Sequence, residues 1–151
     1  MRALTDHQEL ATQLQHTRER VLESVAGLTD EEASVPGDDG WSIKDHLTHM
    51  TLWHEMRFFE ISRIARGGDY SFPTSGEDAI TPLNEAFVDN RRRLTLGQVV
   101  ADLEFSWEMV ARAVAACPQD RLNQRLYGEI GISGGAEHDL EHAEAITALR
   151  P

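Results

Sequence analysis

Apolar and polar positions alternate with a helical period along most of the chain. Leu10, Leu14, Val21, Val25 and Leu28 recur three, four or seven residues apart, which gathers them on one side of a helix from about Asp6 to Ala26. Pro36-Gly37-Asp38-Asp39-Gly40 then breaks the pattern and predicts a turn. A second helix opens at Ser42, where Asp45 lies three residues on, so each side chain can reach an orphan N–H at the helix start. Ile43, Leu47, Met50, Phe58, Ile61 and Ile64 form its stripe, and Gly67-Gly68 ends it. Residues 69–80 read as a polar loop, followed by a short helical piece near Leu83 to Arg93. Thr95 and Gln98 form the next capping pair, opening a third long helix with Val99, Leu103, Trp107, Val110 and Val114 at helical spacing. Pro118 lies just past its end, and Tyr127 to Ser133 is a glycine-punctuated loop. A fourth helix begins near Ser133 to Ala136 and runs to about Leu149. No strand alternation or internal repeat is evident.

Four amphipathic helices bury their stripes most simply against one another, so the expected fold is an all-α four-helix bundle. The two longer connecting stretches leave room for one or two crossovers. At 151 residues the chain is expected to be a single domain, 1–151, large enough to fold without disulfides or a structural metal. Cys117 is the one cysteine, so no intrachain disulfide forms, and it reads as a small apolar residue. The net charge of −12 disfavours nucleic acid or an anionic membrane as partner, because both are bound through clustered Lys and Arg. The basic triplet Arg91-Arg92-Arg93 reads as a solvated helix end. The N-terminus lacks an apolar signal-peptide core, and no apolar run approaches the roughly 20 residues that cross a bilayer. A soluble, cytoplasmic protein is therefore expected.

Histidine carries the chemistry. His138 and His142 lie four apart, so their rings project from one face of the last helix, a spacing at which two neutral imidazoles can grip one metal ion. Flanking Glu137, Asp139, Glu141 and Glu144 could orient the rings or simply face solvent. The string His138-Asp139-Leu140-Glu141-His142 matches the H-x-x-E-H of inverted zinc proteases, but those enzymes draw another acidic ligand from well downstream. Only nine residues follow His142, so a third ligand is expected upstream. The second helix offers His46, His49 and His54. His54 falls in the middle of the apolar stripe, with His46 and His49 toward one flank, and spacing does not choose among them. One of the three could be a hydrogen-bonded core histidine. His7 and His16 have no partner in sequence and read as structural or exposed.

Trp41-Ser42, Lys44-Asp45, Leu47, His49 and Trp53 resemble the opening of the second helix in the DinB/YfiT-like four-helix-bundle superfamily. His138 to Ile146 resembles that family's closing helix. Leu83-Asn84-Glu85 and Asn90-Arg91 are similar to a branch that includes DfsB-like and colibactin-resistance proteins. The resemblance implies a metal site made by His49, His138 and His142, with zinc or nickel the expected ions and an open position for water or substrate. It also implies thiol-dependent transferase, isomerase or hydrolase chemistry, with a low-molecular-weight thiol as a candidate co-substrate and homodimers frequent. Two positions depart from the pattern: Asp139 stands where relatives often carry an aromatic residue, and His54 where Glu is common.

The expected function is a metal-dependent thiol S-transferase or hydrolase acting on small electrophiles. The alternatives are a bundle that sequesters a toxic small molecule or a metal without turnover, or a helical interaction partner whose histidines are incidental. Trp41 and Trp53 could wall the pocket or be plain core. Glu141 and Asp45 could steady the ligands or serve as surface and capping residues.

Overall fold

A computed structural model describes residues 7–68, 77–121 and 132–151, with side chains omitted at 77–79 and 132–134. The elements are α1 (His7–Val25), α2 (Asp30–Ala33), α3 (Ile43–Ala65), α4 (Glu77–Arg91), α5 (Leu96–Ala116), a 3-10 turn at Gln119–Arg121 and α6 (Ile132–Leu149). The fold is all-α, with no strand among the described residues. The loop expected at 69–80 falls partly outside the described residues and partly in α4, which begins earlier than its apolar pattern suggests and holds Pro82. The loop expected at Tyr127 to Ser133 lies largely outside the described residues.

Capping boxes start α2, α3 and α5. Thr29 pairs with Glu32, Ser42 with Asp45 and Thr95 with Gln98, each pair satisfying two helix-start N–H groups reciprocally. Asp45 is thus a capping residue, and its other oxygen meets Arg92 at 3.4 Å. The buried Lys44 ammonium donates to Leu94 O at 2.9 Å and to Asp30 at 3.3 Å, while Asp30 accepts the Leu96 N–H. These bonds tie the starts of α2, α3 and α5 together.

The four long helices form the bundle, α3 packing against α5 and α6, and α1 against α6 and α5. Lys44 lies near Leu94 and His54 near Ser106, so α3 and α5 run parallel. His46 meets His142 while the later Arg57 lies against the earlier Gly135, so α3 and α6 run antiparallel. Parallel neighbours cannot be joined by a tight turn, and α4, packed on α3, occupies the long return between them.

The apolar core is in two parts. One gathers Val21, Val25, Ile43, Leu47, Met50, Val99, Leu103, Trp107 and Ile146; the other holds Leu10, Ile61, Ile64, Val110, Ala113, Val114 and Cys117. Between them α3 presents the buried polar residues Thr51, His54, Arg57 and Glu60. Cys117 is buried, as a small apolar residue would be, and burial raises its thiol pKa. No helix among the described residues is long and apolar enough to cross a membrane.

Candidate metal centre

His49 from α3 and His138 and His142 from α6 converge. The Nε2 atoms of His49 and His138 are 3.0 Å apart and those of His138 and His142 3.1 Å, and a ligand atom from each of the three rings lies within 4.8 Å of the others. The helical offset of four sets the α6 pair side by side, and the antiparallel approach of α3 brings His49 opposite them.

Protons alone serve this arrangement poorly. His138 Nε2 offers either one proton or one lone pair to two neighbouring nitrogens, so the two contacts cannot both be full hydrogen bonds. Convergent imidazole lone pairs are the donor set that a divalent cation takes. Two nitrogens each about 2.0–2.1 Å from one tetrahedral ion lie about 3.3–3.4 Å apart, only slightly wider than observed here. Burial, followed by the neighbouring imidazoles, lowers the pKa of both His49 and His142 to about 3, so these rings stay neutral at physiological pH. His49 Nδ1 is buried with no hydrogen-bond partner among the described residues. By donor type and spacing the three residues fit a metal ion.

Indole rings flank the histidines. Trp41 lies 5.1 Å from His49 and 5.4 Å from His46, and Trp53 lies 6.1 Å from His49 and 5.7 Å from His138. Both are partly exposed, so they wall the site rather than fill the core. His46 is not one of the three: its Nδ1 meets His142 Nδ1 at 2.8 Å, on the edge of that ring away from the Nε2 cluster.

His54 is the core histidine. Its Nε2 faces Asp139 Oδ2 at 2.5 Å and its Nδ1 faces Ser106 Oγ at 2.8 Å, while Ser106 donates to Leu103 O at 2.6 Å. Both nitrogens of His54 thus face side-chain oxygens. The Trp107 N–H also reaches Asp139, at 3.3 Å. Burial by itself would raise the Asp139 pKa, but the facing His54, the adjacent His138 and the Arg57 charge outweigh it and hold this carboxyl well below the usual range. The residue trio has the composition of a hydrolytic triad but not its function. Ser106 is 1% exposed with its hydroxyl proton committed to a carbonyl, and it sits on the Nδ1 side where a triad places the acid.

Among the acids flanking the α6 pair, Asp139 alone is buried, while Glu137, Glu141 and Glu144 are exposed. Asp139 Oδ1 lies 3.7 Å from His138 Nδ1. The sequence did not single Asp139 out as a supporting residue. The signal was present, since the two positions that depart from the family pattern, His54 and Asp139, face each other. His7 bonds Cys117 O and Gln119, a structural role, and His16 is exposed.

A family model described as the DinB superfamily matches residues 13–148. The chain belongs to the DinB superfamily. Among solved structures, this DinB-superfamily chain is similar to one described as the crystal structure of colibactin self-resistance protein ClbS in complex with a dsDNA. The TM-score is 0.74 at 15% identity, covering 98% of this chain and 97% of that chain. No curated protein matches the chain.

This finding corrects one expectation. Nucleic acid was excluded as a partner on net charge, yet a protein of this fold is seen with duplex DNA. Net charge averages over the whole surface, whereas nucleic acid responds to the local arrangement of cations, so −12 does not support the exclusion. The basic triplet itself is largely occupied. Arg92 pairs with Asp89 and Asp45, and the Arg91 guanidinium lies 3.5 Å from the Phe87 ring centroid.

Proposed function

We propose that this chain is a metal-dependent enzyme acting on small electrophiles, with one divalent cation, zinc or nickel, held by His49, His138 and His142. The observation that carries this reading is the convergence of ring nitrogens from three histidines on two helices. Three protein ligands leave an ion with an open position, the composition of a catalytic rather than a structural site. A bound ion of this kind supplies Lewis acidity, which turns a water or a low-molecular-weight thiol into a nucleophile near neutral pH. The chain's own residues do the rest. Burial keeps His49 and His142 unprotonated and able to ligate, and Trp41 and Trp53 offer apolar walls against which a small electrophile can lie.

The test is elemental analysis of tag-free protein prepared without chelator, repeated on His142→Ala. About one metal per chain in the parent, lost in the variant, is expected. No uptake by the parent after incubation with zinc, nickel and manganese would overturn the metal reading. Loaded protein is then assayed with a thiol and a chloro-nitroaromatic. Product over many equivalents supports an enzyme, and saturable binding without product supports sequestration. Light scattering on the same preparation tests the expected homodimer.

The solved complex of ClbS with dsDNA favours a second reading, in which this chain also meets duplex DNA. Fluorescence anisotropy with a labelled duplex at about 50 mM salt tests it, since phosphate contacts weaken steeply as salt rises. Binding that is absent at low salt, or present but insensitive to salt, would count against it.

A further inference from the structure

We propose that His46 is a positioning residue: through its bond to His142 Nδ1 it fixes the tautomer of His142 and so commits Nε2 of that ring to metal. The inference rests on the metal-site reading above.

A neutral imidazole carries its proton on one nitrogen and its ligating lone pair on the other. His142 can therefore ligate through Nε2 only while its proton sits on Nδ1. Left alone, a neutral imidazole exchanges between both forms, and the wrong one directs an N–H into the cluster. An acceptor at Nδ1 removes that ambiguity, which is why metal-bound histidines commonly donate their other N–H to a carboxylate, a carbonyl or a water. Here the group at that position is an imidazole, with His46 Nδ1 2.8 Å from His142 Nδ1.

The surroundings hold His46 in this role. It lies one turn before His49 on α3, so the backbone that presents one ligand also presents the support of another. The Trp41 ring meets it edge-on at 5.4 Å, and the residue is 6% exposed. In this arrangement the proton of His46 itself sits on its other nitrogen, Nε2. A proton there leaves Nδ1 bare, as an acceptor must be. Trp41 touches both His46 and His49, so one indole braces a ligand and the support of another.

Two measurements decide the matter. The first uses metal-free protein and nitrogen–proton multiple-bond NMR of the histidine rings at neutral pH. His142 protonated at Nδ1 and His46 at Nε2 is expected, and His142 protonated at Nε2 would overturn the proposal. The second is zinc affinity, measured by competition with a chromogenic chelator. His46→Leu should weaken zinc by about 10–100-fold, and His46→Asn, whose amide oxygen can take the place of Nδ1, should recover most of that loss. Unchanged affinity in a folded His46→Leu variant would overturn it, as would an Asn variant no better than Leu. If His46→Leu does not fold, the parent's tautomers and the Asn variant still decide. Failure of the parent to bind zinc would count against the metal site itself, while the NMR result would still judge the His46–His142 bond.

Discussion

At the scale of single residues, burial sets the protonation of the histidines, and this gives stability a definite dependence on pH. His49 and His142 stay neutral in the folded chain down to about 3, whereas the same rings in the unfolded chain take up protons from about 6.5. Between those values the unfolded state binds more protons than the native state. Their contribution is therefore complete above 6.5 and is lost as the pH falls toward 3. Asp139, with its folded pKa lowered, shifts stability in the same direction at more acidic pH. For metal-free protein, the urea midpoint should decline steadily from pH 6.5 downward, and more shallowly in His49→Ala. Equal slopes in parent and variant would show that these rings are not neutral by burial. How far the site is legible in sequence also turns on single residues. The α6 pair shows itself through its offset of four, and Trp41 and His49 through a resemblance. Asp139 stays hidden because four acids flank that pair, and only the packed neighbours reveal which one turns inward. His54 on an apolar stripe announces a buried histidine but not its partner, since Asp139 lies 85 residues away.

At the scale of helices, His54, Ser106, Trp107 and Asp139 join α3, α5 and α6 through one buried polar knot. Removing one member of a buried, hydrogen-bonded polar pair leaves the other unsatisfied, typically at a cost of about 1–3 kcal/mol or more where a charge is involved, while replacing both by apolar groups is often close to neutral. Asp139→Leu and His54→Leu should each lower unfolding free energy by several kcal/mol, and the double variant should lose less than the sum. Strict additivity in denaturant titrations would mean that the two do not act as a pair. Helix positions were legible because local chemistry sets them: Ser42 with Asp45 and Thr95 with Gln98 announce their own starts. Thr29 and Glu32 carry the same signal at the start of the short α2, with too few apolar positions after it to mark a helix. The start of α4 was missed for a different reason. Its sequence is polar and holds Pro82, so apolar periodicity sets in only some residues after the helix has begun.

At the scale of the molecule, a count of amphipathic stripes gives a bundle, but not which helices are neighbours. The parallel pairing of α3 with α5 depends on contacts between residues such as Lys44 and Leu94, 50 positions apart, which no local pattern encodes. The packing of α6 on α3, equally unmarked by any local pattern, brings the three histidines together. The division of the core by the buried polar residues of α3 has a consequence for how the molecule breathes. Among the described residues, the cluster around Ile61, Ile64 and Val114 holds seven buried residues against twelve in the other, so these residues have less apolar contact to hold them closed. In native-state hydrogen exchange, amides near the ends of α3 and α5 should open at lower free energy than those around Leu47 and Leu103. Uniform opening energies along both helices would show that the polar knot couples the halves instead of separating them. With the split, one end of the bundle can exchange with solvent while the end that carries the histidines stays shut.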